Sequence, residues 1–138
     1  MTRAKSHRRV MAEVVTDASA LVDLLLANES GQAVRDRIAG HVLHAPAHLD
    51  AEVLSALGRL NRAGDLADDD VETKLVSMAA APINRHPVND LMIGAWARRH
   101  RLRLVDALYV ELASTHGWQL VTTDRRLREV PVVEVVGG

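Results

Sequence analysis

Short unbroken apolar runs alternate along this chain with longer segments of helical period, and that alternation limits the fold more than any other feature. Glu13-Val14-Val15-Thr16, Val42-Leu43-His44 and Gln119-Leu120-Val121-Thr122 read as short buried strands. A less regular strand is expected across 83–88 and a last one across 132–136. Between the first two, Leu21, Val22 and Leu24 to Leu26 form a helix that Ser19 is placed to cap, and Ser30 can cap a second that Gly40 stops. From about 48 to 62, Leu49, Val53, Ala56, Leu57 and Leu60 share one helical face. Asp68, Asp69 and Asp70 open another helix, where acids suit the positive end of the dipole. A helix over about 89–100 leads to one continuing from Asp106, which turns Leu108, Tyr109, Leu112 and Ala113 inward and ends at Gly117. Strands that read as apolar runs, without a polar alternate face, are buried on both sides. The fold class is therefore α/β, a parallel sheet between helices.

With 138 residues and no internal repeat or linker, one domain accounts for the chain. Residues 1–10 are expected to be a basic, flexible extension and 11–138 the domain itself. The complete lack of cysteine excludes disulfides, thiolate metal sites and thiol nucleophiles, so any metal is held by oxygen or imidazole. No apolar run is long enough for a membrane span, and the basic N-terminus lacks the apolar stretch of a signal peptide, so a cytoplasmic protein without membrane contact is expected.

A net charge of −1 makes the whole chain no polycation, but the charge is unevenly spread. Arg3, Lys5, Arg8 and Arg9 stand without an acid at the start. Residues 10–70 hold four arginines against eleven acids, a net of −7, whereas 85–128 hold eight arginines against four acids, a net of +4. Folded together, these parts give a carboxylate pocket with a cationic border.

Asp17 and Asp124 directly follow strands, where parallel sheets place their ligands. Glu52 and Asp106 fall near the starts of helices, close to where strand-to-helix loops converge. Singly, each acid has a plainer role open to it: Asp17 as a loop acid, Asp106 as a cap, Asp124 as a turn former, Glu52 as an arginine's partner. Together they repel, at about 3 kcal/mol per pair 5 Å apart with an effective dielectric near 20. A divalent ion removes that cost, and oxygen ligands select Mg²⁺ or Mn²⁺. Carboxylates with such an ion suffice for phosphodiester hydrolysis without a nucleophilic side chain.

Four segments carry a family resemblance: Val-Val-Thr-Asp-Ala-Ser-Ala-Leu-Val (14–22), Ala-Pro-Ala-His-Leu-Asp-Ala-Glu-Val-Leu-Ser-Ala-Leu (45–57), Val-Asp-Ala-Leu-Tyr-Val-Glu-Leu-Ala (105–113) and Leu-Val-Thr-Thr-Asp-Arg-Arg-Leu (120–127). In order and spacing they resemble the blocks of PIN-domain ribonucleases, most of all the VapC toxins of type II toxin–antitoxin modules. The resemblance implies a three-layer sandwich around a parallel five-stranded sheet and Mg²⁺-dependent endoribonuclease activity. It also implies a homodimer restrained by a cognate antitoxin. Asp17, Glu52, Asp106 and Asp124 match the family's catalytic acids, with Asp17, Asp106 and Asp124 as metal ligands. Ser19 and Thr122 match its supporting hydroxyls. Val105 departs from the pattern, which often has an aromatic residue there.

Arg98 and Arg125 are the preferred phosphate contacts among the arginines of 98–103 and 125–126. Trp96 is expected in the core in preference to stacking on a base, and His48, one turn before Glu52, as a capping or surface residue in preference to a metal ligand. The competing reading is a non-catalytic PIN-fold module that binds RNA or protein. A Mg²⁺-dependent phosphatase is a further rival, but residue 19 is serine where its second aspartate belongs.

Overall fold

The computed structural model describes residues 12–137. The proposed basic extension lies outside the described residues. Five strands form one sheet: β1 (Glu13–Thr16), β2 (Val42–Pro46), β3 (Ile83–His86), β4 (Gln119–Thr122) and β5 (Val133–Val135). Their order is β3-β2-β1-β4-β5 and every pairing is parallel. The register sets Val15 opposite His44 on one side and Leu120 on the other. Six α-helices connect them: α1 (Ala18–Leu26), α2 (Glu29–Ile38), α3 (Leu49–Arg62), α4 (Asp68–Ala80), α5 (Met92–Ala97) and α6 (Leu104–His116).

The chain steps outward from β1 to β2 to β3, then returns across the sheet to β4. Right-handed crossovers therefore put α1 to α4 on one face and α5 and α6 on the other. Val14, Val15, Leu49, Val53, Leu57, Leu112, Leu120 and Val121 fill the core at 2 % exposure or less. The reversal of strand order falls between β1 and β4; Asp17 directly follows the first and Asp124 comes two residues after the second.

Several local expectations are corrected. Asp17, not Ser19, caps α1, its carboxylate accepting from the Ala20 amide, and Asn28, not Ser30, caps α2. Both true caps have extended backbone, as a cap side chain requires to fold back onto the helix. The helix expected over 89–100 is a 3-10 turn at Val88–Leu91 followed by the short α5. Arg98-Arg99-His100-Arg101 offers no apolar face to pack, so the helix stops where burial stops. Trp96 points outward at 56 % exposure with the Arg99 guanidinium 4.6 Å above its ring, because Leu91 and Ala95 occupy the inward positions. Gly94 leaves room on α5 for the Glu111 carboxylate of α6: a Cβ there would sit 2.0 Å from its carboxyl carbon.

Candidate active site

Asp17 leaves β1 and at once caps α1, which turns its carboxylate toward the end of β4. Oδ1 accepts from the Ala20 amide at 3.0 Å and the Ser19 hydroxyl at 2.9 Å, and Oδ2 from the Thr122 hydroxyl at 2.5 Å. Thr122 in turn accepts from the Asp124 amide at 2.9 Å, and the Ser19 and Thr122 oxygens lie 3.1 Å apart. Both hydroxyls thus fix Asp17, and one of them ties it to the Asp124 backbone. Only 6 % of Asp17 is exposed. Burial pushes its carboxyl up to about 6; the three hydrogen bonds oppose that rise, and the Asp124 charge adds to it.

Asp124 opens the 3-10 turn Arg125–Leu127 and accepts from the Arg126 amide at 3.0 Å. The Arg126 side chain folds back over the same carboxylate: Nε lies 3.0 and 3.1 Å from its two oxygens, and Nη2 makes a very short contact with Oδ2. That bond holds the Asp124 carboxyl below the usual range, although partial burial works the other way. The same Nη2 stands 3.8 Å from Asp106 Oδ2, which also accepts from Arg103 Nε at 3.1 Å. Arg126 therefore bridges an acid after β4 and an acid in the first turn of α6.

Glu52 completes the group from the first turn of α3. Its Oε1 accepts from the Tyr109 hydroxyl at 2.6 Å, and Tyr109 sits three residues after Asp106 on α6. Burial first, and the bond to Glu52 second, raise the Tyr109 hydroxyl far above its ordinary range, so it is a neutral donor. The charges of Glu52, Asp17 and Asp106 add to that rise. A cleft of about 300 Å³ is lined here by Ser19, Glu52, Arg59, Arg103, Asp124 and Arg126.

Among the described residues, no three carboxylate or imidazole groups already surround one point as metal ligands. The acids are joined in pairs: Asp17 to Asp124 through Thr122, and Asp106 to Asp124 through Arg126. The donor set is nonetheless of the right kind for a hard divalent ion, carboxylate oxygens whose negative charge is now met by guanidinium. What the present arrangement holds at the centre is an arginine's charge.

Arg98 is not at this cleft. It pairs with Glu111 and bonds the Gly94 carbonyl at 3.1 Å, lining with Arg101 and Glu129 a neighbouring pocket that Arg126 also borders. Arg125 is exposed on the 3-10 turn, its carbonyl accepting from Arg128. The cleft arginines are instead Arg59, Arg103 and Arg126. Local spacing marks two of them: an Asp-X-Arg turn brings Arg126 back onto Asp124, and Arg103 lies one turn before Asp106. His48 holds the N-cap position of α3, as expected, but its side chain makes no capping bond; its ring lies 4.8 Å from that of Tyr109, with Nε2 3.3 Å from the Val105 carbonyl and 3.5 Å from Glu52.

Comparison with known proteins identifies the family and the fold. The family model described as "PIN domain" matches residues 14–133. "Ribonuclease VapC3" of Mycobacterium tuberculosis is 53% identical over 127 residues, covering 91% of this chain and 93% of that protein. The crystal structure of M. tuberculosis VapC20, described as a "Sarcin-Ricin loop cleaving toxin", superposes with a TM-score of 0.66 at 19% identity, over 89% of this chain and 98% of that one. A "Toxin-antitoxin complex from Klebsiella pneumoniae" gives 0.58 at 16% identity, over 88% of this chain and 96% of that one. At such identities the two structures speak for the fold.

Proposed function

This chain belongs to the PIN-domain family, in its VapC branch, and from that premise we propose that it is a metal-dependent endoribonuclease toxin. The observation that carries the reading is the buried Asp17 carboxylate, held by Ser19 and Thr122 at a strand-order reversal beside Asp124. Asp17, Asp106 and Asp124 would hold Mg²⁺, or Mn²⁺ in its place. Such an ion supplies Lewis acidity toward a phosphoryl oxygen and lowers the pKa of water. The protein's own part is to fix the acids and steer the RNA. Ser19 and Thr122 hold Asp17 in one orientation, and Tyr109 holds Glu52 by Oε1, leaving Oε2 as a proton acceptor beside the cleft. Arg59 and Arg103 border the cleft, where guanidinium pairs with phosphate.

The partners we propose are RNA, a cognate antitoxin that inserts into this cleft, and a second copy of the chain, all in the cytoplasm. The antitoxin's own arginine would replace the ion's charge among the acids. Exposed Met92, Ile93 and Trp96 on α5, beside exposed Leu104 and Val105 at the start of α6, support a dimer face. No helix among the described residues is long and apolar enough to cross a membrane.

A non-catalytic RNA- or protein-binding module is the alternative, favoured by the lack of three assembled ligands. Titrating Mn²⁺ into the protein with either a generic RNA or a phosphomonoester separates the readings. The proposed enzyme cuts RNA and leaves the monoester intact. Hydrolysis of the monoester instead would point to a phosphatase, and RNA binding without cleavage to the module.

A further inference from the structure

Among the described residues, Arg126 is the cationic side chain that reaches the carboxylates of two proposed metal ligands. Its guanidinium forks onto Asp124 through Nε and Nη2, and Nη2 reaches to 3.8 Å from Asp106. Arg103 meets Asp106 alone, through Nε. With both arginines in place, the two carboxylates of Asp106 and Asp124 are neutralised. A divalent ion seated between Asp106 and Asp124 would meet the Arg126 guanidinium at close range, and two cations on one pair of carboxylates repel. Arg126 is also built to leave. Its side chain is 58% exposed, whereas those of Asp106 and Asp124 are 15% and 19% exposed. Only its backbone amide is committed, to Asp124 Oδ1, and that bond survives rotation of the side chain.

We propose that Arg126 is an internal latch: in the metal-free protein it stands in for the ion between Asp106 and Asp124, and metal entry swings it out onto the RNA backbone. The inference rests on the metal-site reading above and adds a role for this residue. A released Arg126 remains tethered by its short turn to the rim of the cleft shared with Arg59 and Arg103. There its fork fits a phosphodiester as it fitted a carboxylate. One guanidinium thus serves two ligands in turn, which couples metal loading to substrate capture. It also keeps the acids together before the ion arrives.

The test is Mn²⁺ binding to the full chain by calorimetry at low ionic strength, for wild type, Arg126→Gln, Arg126→Lys and Asp106→Asn. A latch predicts that Arg126→Gln lowers the Mn²⁺ Kd about tenfold, equivalent to about 1.4 kcal/mol. Arg126→Lys keeps the charge but loses the fork, and should also bind Mn²⁺ more tightly than wild type. In saturating Mn²⁺, both variants should bind a non-cleavable RNA several-fold more weakly. A Kd for Arg126→Lys equal to wild type, with only Arg126→Gln tighter, would reduce Arg126 to a background charge and overturn the latch. So would Mn²⁺ binding in Arg126→Gln no tighter than wild type, while Asp106→Asn binds none; that result leaves the metal site standing. If wild type and all variants bind no Mn²⁺, the latch and the site fall together.

Discussion

At its first turn α6 carries Asp106 between the Arg103 and Arg126 guanidiniums, the second of which also holds Asp124; at its last turn, ten residues and about 15 Å along the axis, it carries His116 in a stack of rings. The Trp118 ring lies between His44, 3.9 Å away, and His116, 4.2 Å away. His44 Nε2 meets Glu13 Oε1 at 2.9 Å and His44 Nδ1 meets His86 Nε2 at 2.9 Å. Burial, then the two neighbouring histidines, push the His86 ring down from its ordinary range, toward the neutral form. A neutral imidazole donates at one nitrogen and accepts at the other, so Glu13, His44 and His86 form a self-satisfied chain. Carboxylates only accept. The acids at the first turn cannot satisfy one another, and every proton or positive charge they use comes from another group. Both ends concentrate titratable side chains, but at the acid end the donors are hydroxyls and guanidiniums from outside the set of acids, and a guanidinium's charge is what a metal cation can replace.

The largest effect expected from breaking this contrast lies in activity. Asp17→Asn or Asp106→Asn should lower RNA cleavage by about a thousandfold or more, roughly 4 kcal/mol of transition-state stabilisation, with an unchanged circular dichroism spectrum. At the other end, Trp118→Ala should cost about 3 kcal/mol of stability in urea unfolding by removing a ring stacked on both faces. It should leave Mn²⁺ affinity unchanged, and a loss of metal binding there would show that the two ends are coupled.

Asp17 supplies a pH test. Burial lifts its folded pKa to about 6, above the ordinary aspartate value near 4, so its contribution favours the folded state below about 4 and is lost as pH rises through 6. In chelator, Asp17→Asn should therefore exceed wild type in stability at pH 7 by about 3 kcal/mol at most, with the difference shrinking toward pH 4. An equal difference at both pH values would assign the gain to packing. His86 predicts a smaller effect of opposite slope. Its folded pKa lies below the ordinary histidine value, so its contribution is complete above about 6.5 and is lost as pH falls through the folded value. His86→Asn should flatten the stability loss below pH 6.5, while the Asp17 slope persists.

The strands β1 and β4 were legible to the residue, because Val14-Val15 and Leu120-Val121 are buried on both faces and allow no other register of burial. The positions of Asp17 and Asp124 just beyond those strands were legible for the same reason, whereas Glu52 and Asp106 stand in first turns of helices, where spacing alone fixes no site. The arginines were harder. Arg98 looked available until Glu111, thirteen residues on and across the α5–α6 contact, was seen to hold it. Arg126 was readable from its spacing to Asp124 alone. The fate of Trp96 depended on how few inward positions a broken helix leaves. The ring cluster left no trace in the sequence, since His44, His86 and His116 come together only when β2, β3 and α6 pack.

The central claim is that the acid end of α6 cuts RNA through a divalent ion, and cleavage of one RNA by the full chain under chelation and add-back tests it most directly. The account predicts cleavage in Mn²⁺, none in excess chelator, recovery when Mn²⁺ is restored, and no cleavage by Asp106→Asn under any of these conditions. Undiminished cleavage in chelator, or by Asp106→Asn, would contradict it.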